Sequence, residues 1–340
     1  MTKPNAQVRM KALVAARLLM GDFEDWGHFQ QEREAASQIV NRRAARSVSS
    51  QIGRSYGDLS KETQRFIFDN FLRCDYGDLA KLCDAVQIRH GIYQRLDEFE
   101  TTFFPLAEKI KRRFPFHAHV SISLYGLQFE FPEHHFMRDM ERGLNDLWEV
   151  QSQLNEIRTR GRVSKDDRGK VRELVGREKF LSRSTISASF SLVEAFLSGL
   201  FFTAIQTKNI GQLECDEAFL AYARGKESAP LRNRLDRILQ FVSGNELNGN
   251  NSPFASFINL GKRYRDAIHH TTPFQRKDVR SGGRLLVLYE IRGEVAVKCA
   301  LSSLSTVLEI SRRVFGDPDE TTIALSCRNI EERALQLLTD

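Results

Sequence analysis

Apolar residues recur at helical spacing through most of this chain, and that periodicity limits the possible folds more than any other feature of the sequence. The clearest stripe lies on a predicted helix at about 133–158 and consists of Met140, Leu144, Leu147, Val150 and Leu154. A second run, Ser189 to Ile205, is apolar on nearly every side, which predicts a helix buried in a core. We therefore expect a mainly α-helical protein.

Two segments have strand patterns instead. Val120, Ile122 and Leu124 alternate with polar residues, and a second short run follows Gly126, which predicts a small β element in the N-terminal half. In residues 285–297, two apolar runs flank Arg292-Gly293, which predicts a short β-hairpin in the C-terminal half. The expected fold class is mainly α, with a small β element in a helical N-terminal region and a short hairpin in a C-terminal helical bundle.

A polar run marks the expected domain boundary. Residues 158–170 are almost wholly polar, and a chain of 340 residues is long enough for two domains. This pattern predicts a helical region at 1–158 and a second domain at 171–340. The alternative is that the run is an exposed loop between two helices of one domain.

Composition favours a folded cytoplasmic protein. The 50 basic residues against 44 acidic ones give a net charge of +6, which favours a nucleic-acid partner modestly. The five cysteines lie far apart and form no CxxC pair, so we expect neither a disulfide framework nor a zinc knuckle. Glu194 interrupts the most apolar run, which is near the lower length limit for a membrane span, so we expect no membrane contact.

The hexapeptide Arg265-Asp266-Ala267-Ile268-His269-His270 is the most informative motif. It resembles the signature of the HEPN superfamily of helical RNases, which is an arginine, a polar residue, three variable residues and a histidine. The apolar segment 189–198, with its embedded Glu194, resembles the first core helix of many HEPN domains. The resemblance covers about 180–316 and includes no part of residues 1–160.

The resemblance implies an activity and a setting. Residues 171–340 would form a HEPN-like bundle that acts as a metal-independent endoribonuclease without a cofactor. His270 would be the general base or acid, Arg265 would hold the phosphate, and Asp266 would orient them. The RNA 2′-hydroxyl would attack and leave a 2′,3′-cyclic phosphate. HEPN ribonucleases commonly serve in bacterial phage defence or as toxins, so residues 1–158 would sense, regulate or bind a partner such as an antitoxin.

Helical geometry complicates that assignment of roles. Arg265 and His270 are five residues apart and point about 140° from each other on a regular helix. The family's solution is a homodimer in which two such helices face each other across a shared cleft. Within one helix, Arg265 shares a face with His269, and Arg263 shares one with His270. His269 is therefore a second catalytic candidate, and helical geometry does not choose between the pairs.

Further charged residues are candidates for supporting roles. A buried Glu194 would need a partner, for which Lys262, Arg263 and Arg265 are candidates. Glu194 would then support the catalytic residues without touching the substrate. The basic residues Lys262, Arg263, Arg312 and Arg313 are candidate RNA phosphate contacts, although each taken singly could be a solvated helix face. His117 and His119 alternate on a predicted strand, but no third ligand accompanies them, so we expect no metal site.

Two other functions remain open. A HEPN-like domain that has lost catalysis would act in dimerisation or RNA binding, and a helical adaptor protein would have no nucleic-acid role. The two histidines could also simply interact with the dipole at a helix C-terminus.

Overall fold

The computed structural model describes most of the chain in continuous stretches. These are residues 5–39, 56–70, 75–86, 92–95, 118–160, 164–207, 253–269 and 283–315, with a few single residues beyond them. The chain divides into two compact units, Met1–Phe131 and Pro132–Asp340. Each unit has its own apolar core.

Unit 1 contains helices and a small sheet. Its described elements are α1 Ala6–Met20, α2 Trp26–Ser37, α3 Tyr56–Asn70, α4 Tyr76–Ala85, β1 Ile92–Arg95, β2 His119–Ser123 and β3 Gly126–Glu130. Side-chain caps begin three of the helices: Asn5, Asp25 and Asp75 each accept a hydrogen bond from the backbone of the first turn. Residues 12–19 of α1 are all buried, so this helix forms the centre of the unit.

The sheet confirms the small β element predicted for the N-terminal half. Its three strands are antiparallel in the order β1-β2-β3, and Val120 lies opposite Phe129 in the second pair. Val120 and Ile122 are fully buried, whereas Ser123 and Tyr125 lie at the turn. Ser121, between the two buried apolar residues, is 3% exposed, so the middle of β2 is buried on both faces and the alternation in the sequence describes its burial only in part.

Two glycines allow α1 to meet the β2–β3 turn. Gly21 ends α1 with φ 78° and Gly126 lies in the turn with φ 90°, a left-handed backbone region that side chains disfavour. A Cβ on Gly21 would lie 2.9 Å from the backbone carbonyl carbon of Tyr125. Both positions therefore require glycine for close backbone approach as well as for conformation.

The described elements of unit 2 are all helices. Its elements are α5 Pro132–Thr159, α6 Lys165–Thr207, α7 Pro253–Ser256, a π-helical turn Phe257–Gly261, α8 Lys262–His269, α9 Gly283–Glu290 and α10 Gly293–Phe315. α5 confirms the stripe from which it was predicted: all five apolar residues of that stripe are buried. The mainly helical fold class is also confirmed.

The polar run at 158–170 lies inside unit 2, so the structural division differs from the expected boundary. Apolar residues on both sides of the run share one core: Leu147 and Leu154 of α5 pack in the same cluster as Leu174 and Leu181 of α6. Both helices that border the run therefore belong to one unit, as in the one-domain alternative, although residues 158–159 lie in α5 and residues 165–170 in α6 rather than in a loop.

The C-terminal β-hairpin predicted at 285–297 is wrong. This segment forms α9 and the start of α10, which are separated by Ile291 and Arg292. Helical spacing decides the outcome, because Ala296, Ala300 and Val307 fall on one side of α10 and are buried in the core. The carboxylate of Glu178 on α6 also accepts a hydrogen bond of 3.0 Å from the Gly293 backbone N–H at the start of α10.

One described stretch, Asp167–Thr203 within α6, is long and apolar enough to cross a membrane by length and composition, with a mean hydropathy of 1.5 in its most apolar window. However, 67% of that window is buried inside the structure, as in the core helix of a soluble protein. The stretch therefore does not by itself indicate a membrane span, and the cytoplasmic location stays a prediction.

Candidate functional site

The face of α6 that carries Glu194 also presents two residues that the sequence did not single out. Ser187, Phe190 and Glu194 are spaced three and four residues apart, so they lie on one side of the helix. Phe190 is 3% exposed, whereas Ser187 and Glu194 are half-buried. The helical spacing from Glu194 was the available signal for both missed residues.

A π-helical turn leads directly into the motif. The backbone N–H of Lys262 donates to the carbonyl of Phe257, five residues earlier, which is the π-helical hydrogen bond. The Phe257 ring stacks on Phe190 of α6, with centroids 5.2 Å apart and planes inclined by 23°. A Cβ on Gly261 would lie 3.3 Å from the Phe257 ring, so glycine gives the aromatic pair its room.

The helix α8 places Arg265 and His269 side by side against α6. The guanidinium carbon of Arg265 lies 4.9 Å from the centroid of the Phe190 ring, which is a cation–π contact. Nε2 of His269 lies 3.2 Å from Oγ of Ser187. The structure therefore brings together one of the two pairings that helical geometry left open. His270 lies outside the described residues.

Asp266 contacts two cations, Lys262 before the motif and Arg265 within it. It accepts a hydrogen bond from Nζ of Lys262, one turn earlier, and its Oδ1 lies 3.2 Å from a terminal guanidinium nitrogen of Arg265. Burial alone would raise the pKa of Asp266, but the hydrogen bonds and charges of Lys262 and Arg265 outweigh it and hold the pKa below its usual value. Asp266 is therefore ionised at neutral pH and orients the Arg265 side chain, which is 29% exposed.

Glu194 shares a face with this contact region, and Asp266 contacts both Lys262 and Arg265. Arg263, the third cation suggested as a partner for Glu194, lies 3.0 Å from the carboxylate of Glu290 on α9. The supporting role of Glu194 stays a prediction.

The remaining basic candidates are paired with carboxylates. Glu309 on α10 lies 2.8 Å from both Arg312 and Arg313. The hydrogen bond from Arg312 contributes most to lowering the pKa of Glu309, and Glu309 in turn raises the pKa of Arg312. Arg313 also lies over the buried Phe254 ring, 5.3 Å from its centroid. These arginines would have to exchange a carboxylate for a phosphate in order to bind RNA, and that role stays a prediction.

Other chemistries have little support within the described part of the chain. No group of three or more His, Cys, Asp and Glu residues there could hold a metal ion. His119 lies on β2, whereas His117 is outside the described residues. Burial raises the pKa of Cys83, Cys299 and Cys327 to about 12, so these thiols stay protonated and unreactive at neutral pH.

The pair of Arg265 and His269 can transfer a proton and stabilise a negative charge. An imidazole can take or give a proton near neutral pH, and a guanidinium beside it can stabilise a negative charge on oxygen. Arg265 and His269 supply these groups on one face, and each is held by a residue of α6. This combination suits a reaction at a phosphate group.

Comparison of the chain with models of protein families, with characterised proteins and with solved structures finds no match.

Proposed function

We propose that unit 2 is a metal-independent endoribonuclease of the HEPN type. The observation that carries the proposal is the placement of Arg265 and His269 on the same face of α8, each held by a residue of α6. The motif resemblance adds His270 as the histidine at the signature position. Phage defence or toxin activity is the setting that the resemblance suggests, and a regulatory protein such as an antitoxin would be a partner.

The proposed reaction uses the substrate's own nucleophile. A histidine of the motif takes the proton of the RNA 2′-hydroxyl, and the 2′-oxygen forms a bond to phosphorus. The bond from phosphorus to the 5′-oxygen breaks, and that oxygen takes up a proton from a second group of the site, which acts as the general acid. Arg265 stabilises the charge on the non-bridging oxygens. The products are a 2′,3′-cyclic phosphate and a free 5′-hydroxyl.

Cleavage of total RNA by the purified chain in EDTA tests the proposal. We expect Arg265→Ala to lose activity by at least about 100-fold, since transition-state charge would lack its cation. His269→Ala and His270→Ala, made separately, would show which histidine transfers the proton, because loss of a general acid or base costs about 10²–10⁴-fold. Arg292→Ala, which changes an exposed arginine outside the motif, is the matched control. Full activity in all three motif variants would refute the proposal.

A mixing experiment tests whether the site is shared in a homodimer. If Arg265 of one protomer works with His270 of the other, then a heterodimer of Arg265→Ala and His270→Ala chains has one intact site. Random pairing of the two inactive variants would then restore about a quarter of the wild-type activity. No recovery after subunit exchange between two inactive variants would instead support a site within one chain, whereas an active His270→Ala chain would point to Arg265 and His269.

A second candidate function is a non-catalytic dimerisation or RNA-binding module. The ion pairs of the basic residues favour it, because these arginines already contact carboxylates. Arg265 contacts Asp266, Arg263 contacts Glu290, and Arg312 contacts Glu309. Such a protein would bind RNA with a salt-dependent affinity and leave it intact, and Arg265→Ala would change binding and dimerisation alone. An adaptor without a nucleic-acid role would show no salt-dependent RNA binding.

A further inference from the structure

A groove of about 470 Å³ opens on the surface of unit 2 between α5 and α6. α5 contributes Phe136, Asp139 and Asp146 to it, and α6 contributes Phe180, Ser184 and Ser187. The volume falls in the range of small-molecule sites, which is about 300–1,000 Å³.

A glycine sets the floor of the groove. Gly143 lines it at a close approach of α5 and α6, since a Cβ there would lie 2.2 Å from Oγ1 of Thr185. Thr185 itself is fully buried, and its hydroxyl has no hydrogen-bond partner among the described residues. Any larger residue at 143 would separate the helices and fill this space.

The side chains of the groove suit a flat and uncharged ligand. The Phe180 ring is 61% exposed and offers a surface for stacking, and Phe136 adds a second ring. Two carboxylates, Asp139 and Asp146, face one cation, Arg142, so the groove is unsuited to a phosphate. Carboxylates are instead acceptors for the N–H groups of a base edge, and the serine hydroxyls can donate or accept.

Ser187 links the groove to the candidate catalytic site. It lines the groove and also lies 3.2 Å from Nε2 of His269. A ligand seated in the groove therefore lies next to the imidazole that Ser187 holds. In single-stranded RNA, a base beside the cleaved phosphate can be turned out of the stack and read on its Watson–Crick edge.

We propose that the groove between α5 and α6 binds a guanine base of single-stranded RNA next to the cleaved phosphate. Guanine is the RNA base whose Watson–Crick edge carries a ring N–H beside an amino group, and this pair of donors matches the two oxygens of one carboxylate. The ring stacks on Phe180, and the negatively charged backbone stays outside the acidic groove, towards Arg265. This proposal rests on the proposed endoribonuclease function, because it names the substrate of that site.

Binding of mononucleotides to the full chain tests the groove without any cleavage. Titration calorimetry should show guanosine monophosphate binding at least about tenfold more tightly than uridine monophosphate, which lacks the amino group. Asp139→Asn and Asp146→Asn should each be measured, and at least one should abolish the preference. Phe180→Ala should weaken both nucleotides alike, while Glu173→Gln, a change at an exposed carboxylate elsewhere on α6, should alter neither. Equal binding of both nucleotides, or none, would overturn the proposal.

Sequencing of RNA ends after cleavage is the second arm. The wild-type protein should enrich guanine at one fixed position beside the cut, and the aspartate variant that loses the preference in solution should flatten that enrichment. Cleavage without base preference and without nucleotide binding would overturn the groove proposal and leave the endoribonuclease intact. Guanine-selective binding without RNA cleavage would overturn the endoribonuclease proposal and leave guanine recognition by the groove intact.

Discussion

The π-helical turn before the motif provides a sharp test of how Arg265 is positioned. Asn259 is an exposed residue in the middle of this turn, and its deletion would convert a hydrogen-bonded turn of five residues into an α-helical turn of four. Since a π turn holds one residue more than an α turn, the residues on both sides keep their angle around the helix axis. We therefore expect the deletion variant to keep Arg265 and His269 against α6.

A matched deletion in a regular helix should behave very differently. Asn145 is also exposed, but it lies within α5, so its deletion rotates every later residue of that helix by about 100°. Four buried side chains would leave the core: Leu147, Val150, Leu154 and Ile157. At about 1.5–3 kcal/mol for each, the loss of about 6–12 kcal/mol would match the whole stability of a typical domain.

Deletion of Asn259 removes no buried side chain, so we expect the free energy of unfolding to change by less than about 2 kcal/mol. Circular dichroism melts of both variants measure the difference, and RNA cleavage in EDTA reports on the site. An unfolded Asn259 deletion beside a folded Asn145 deletion would refute this reasoning. A folded Asn259 deletion with the activity of Arg265→Ala would show that the π turn itself positions the arginine.

Three further predictions concern single side chains. Asp266→Asn should lower the free energy of unfolding by about 1 kcal/mol at pH 7. The folded-state pKa of Asp266 is depressed, so its contribution to stability is present above the unfolded pKa of about 3.9 and is lost as pH falls through the folded value. The difference in unfolding free energy between variant and wild type should therefore shrink as pH falls below about 3.9. Gly143→Ala should cost about 1–3 kcal/mol in a thermal melt through overlap with the Thr185 hydroxyl, and adding Thr185→Ala should recover part of that loss; no coupling between the two changes would contradict the close crossing. Glu309→Gln should strengthen RNA binding and steepen its dependence on salt, because it releases Arg312 from its carboxylate, and an unchanged salt slope would remove that arginine from the RNA interface.

The long helices were the most predictable part of the fold. The stripe on α5 predicted its bounds closely, because Pro132 favours the first turn of a helix and the apolar face must be buried. The hairpin was mispredicted because local preference and core packing disagree in that segment. Residues 285–297 are rich in branched side chains around an Arg-Gly pair, which favours a strand locally, but the packing of Ala296 and Ala300 in the core overrides that preference.

The candidate site was predictable in its residue types and less so in its geometry. The motif pointed to Arg265, Asp266 and His270, and helical spacing added His269. The face of α8 that packs against α6 depends on the π turn, which has no signal in the local sequence. That turn accompanies the stacking of Phe257 on Phe190, a contact between residues 67 positions apart in the chain. Long-range contacts of this kind decide geometry that periodicity alone leaves open.

The position of the candidate site along α6 determines how long the site persists before the surrounding backbone opens. Ile186 belongs to one apolar cluster of unit 2, whereas Ala188 and Phe190 belong to another, so the two cores meet within a few residues of backbone. Opening this segment exposes both cores, so amide hydrogens at 186–190 should exchange with solvent on the timescale of global unfolding. The surface that holds Arg265 and His269 would then persist as long as the folded unit does, with or without a ligand.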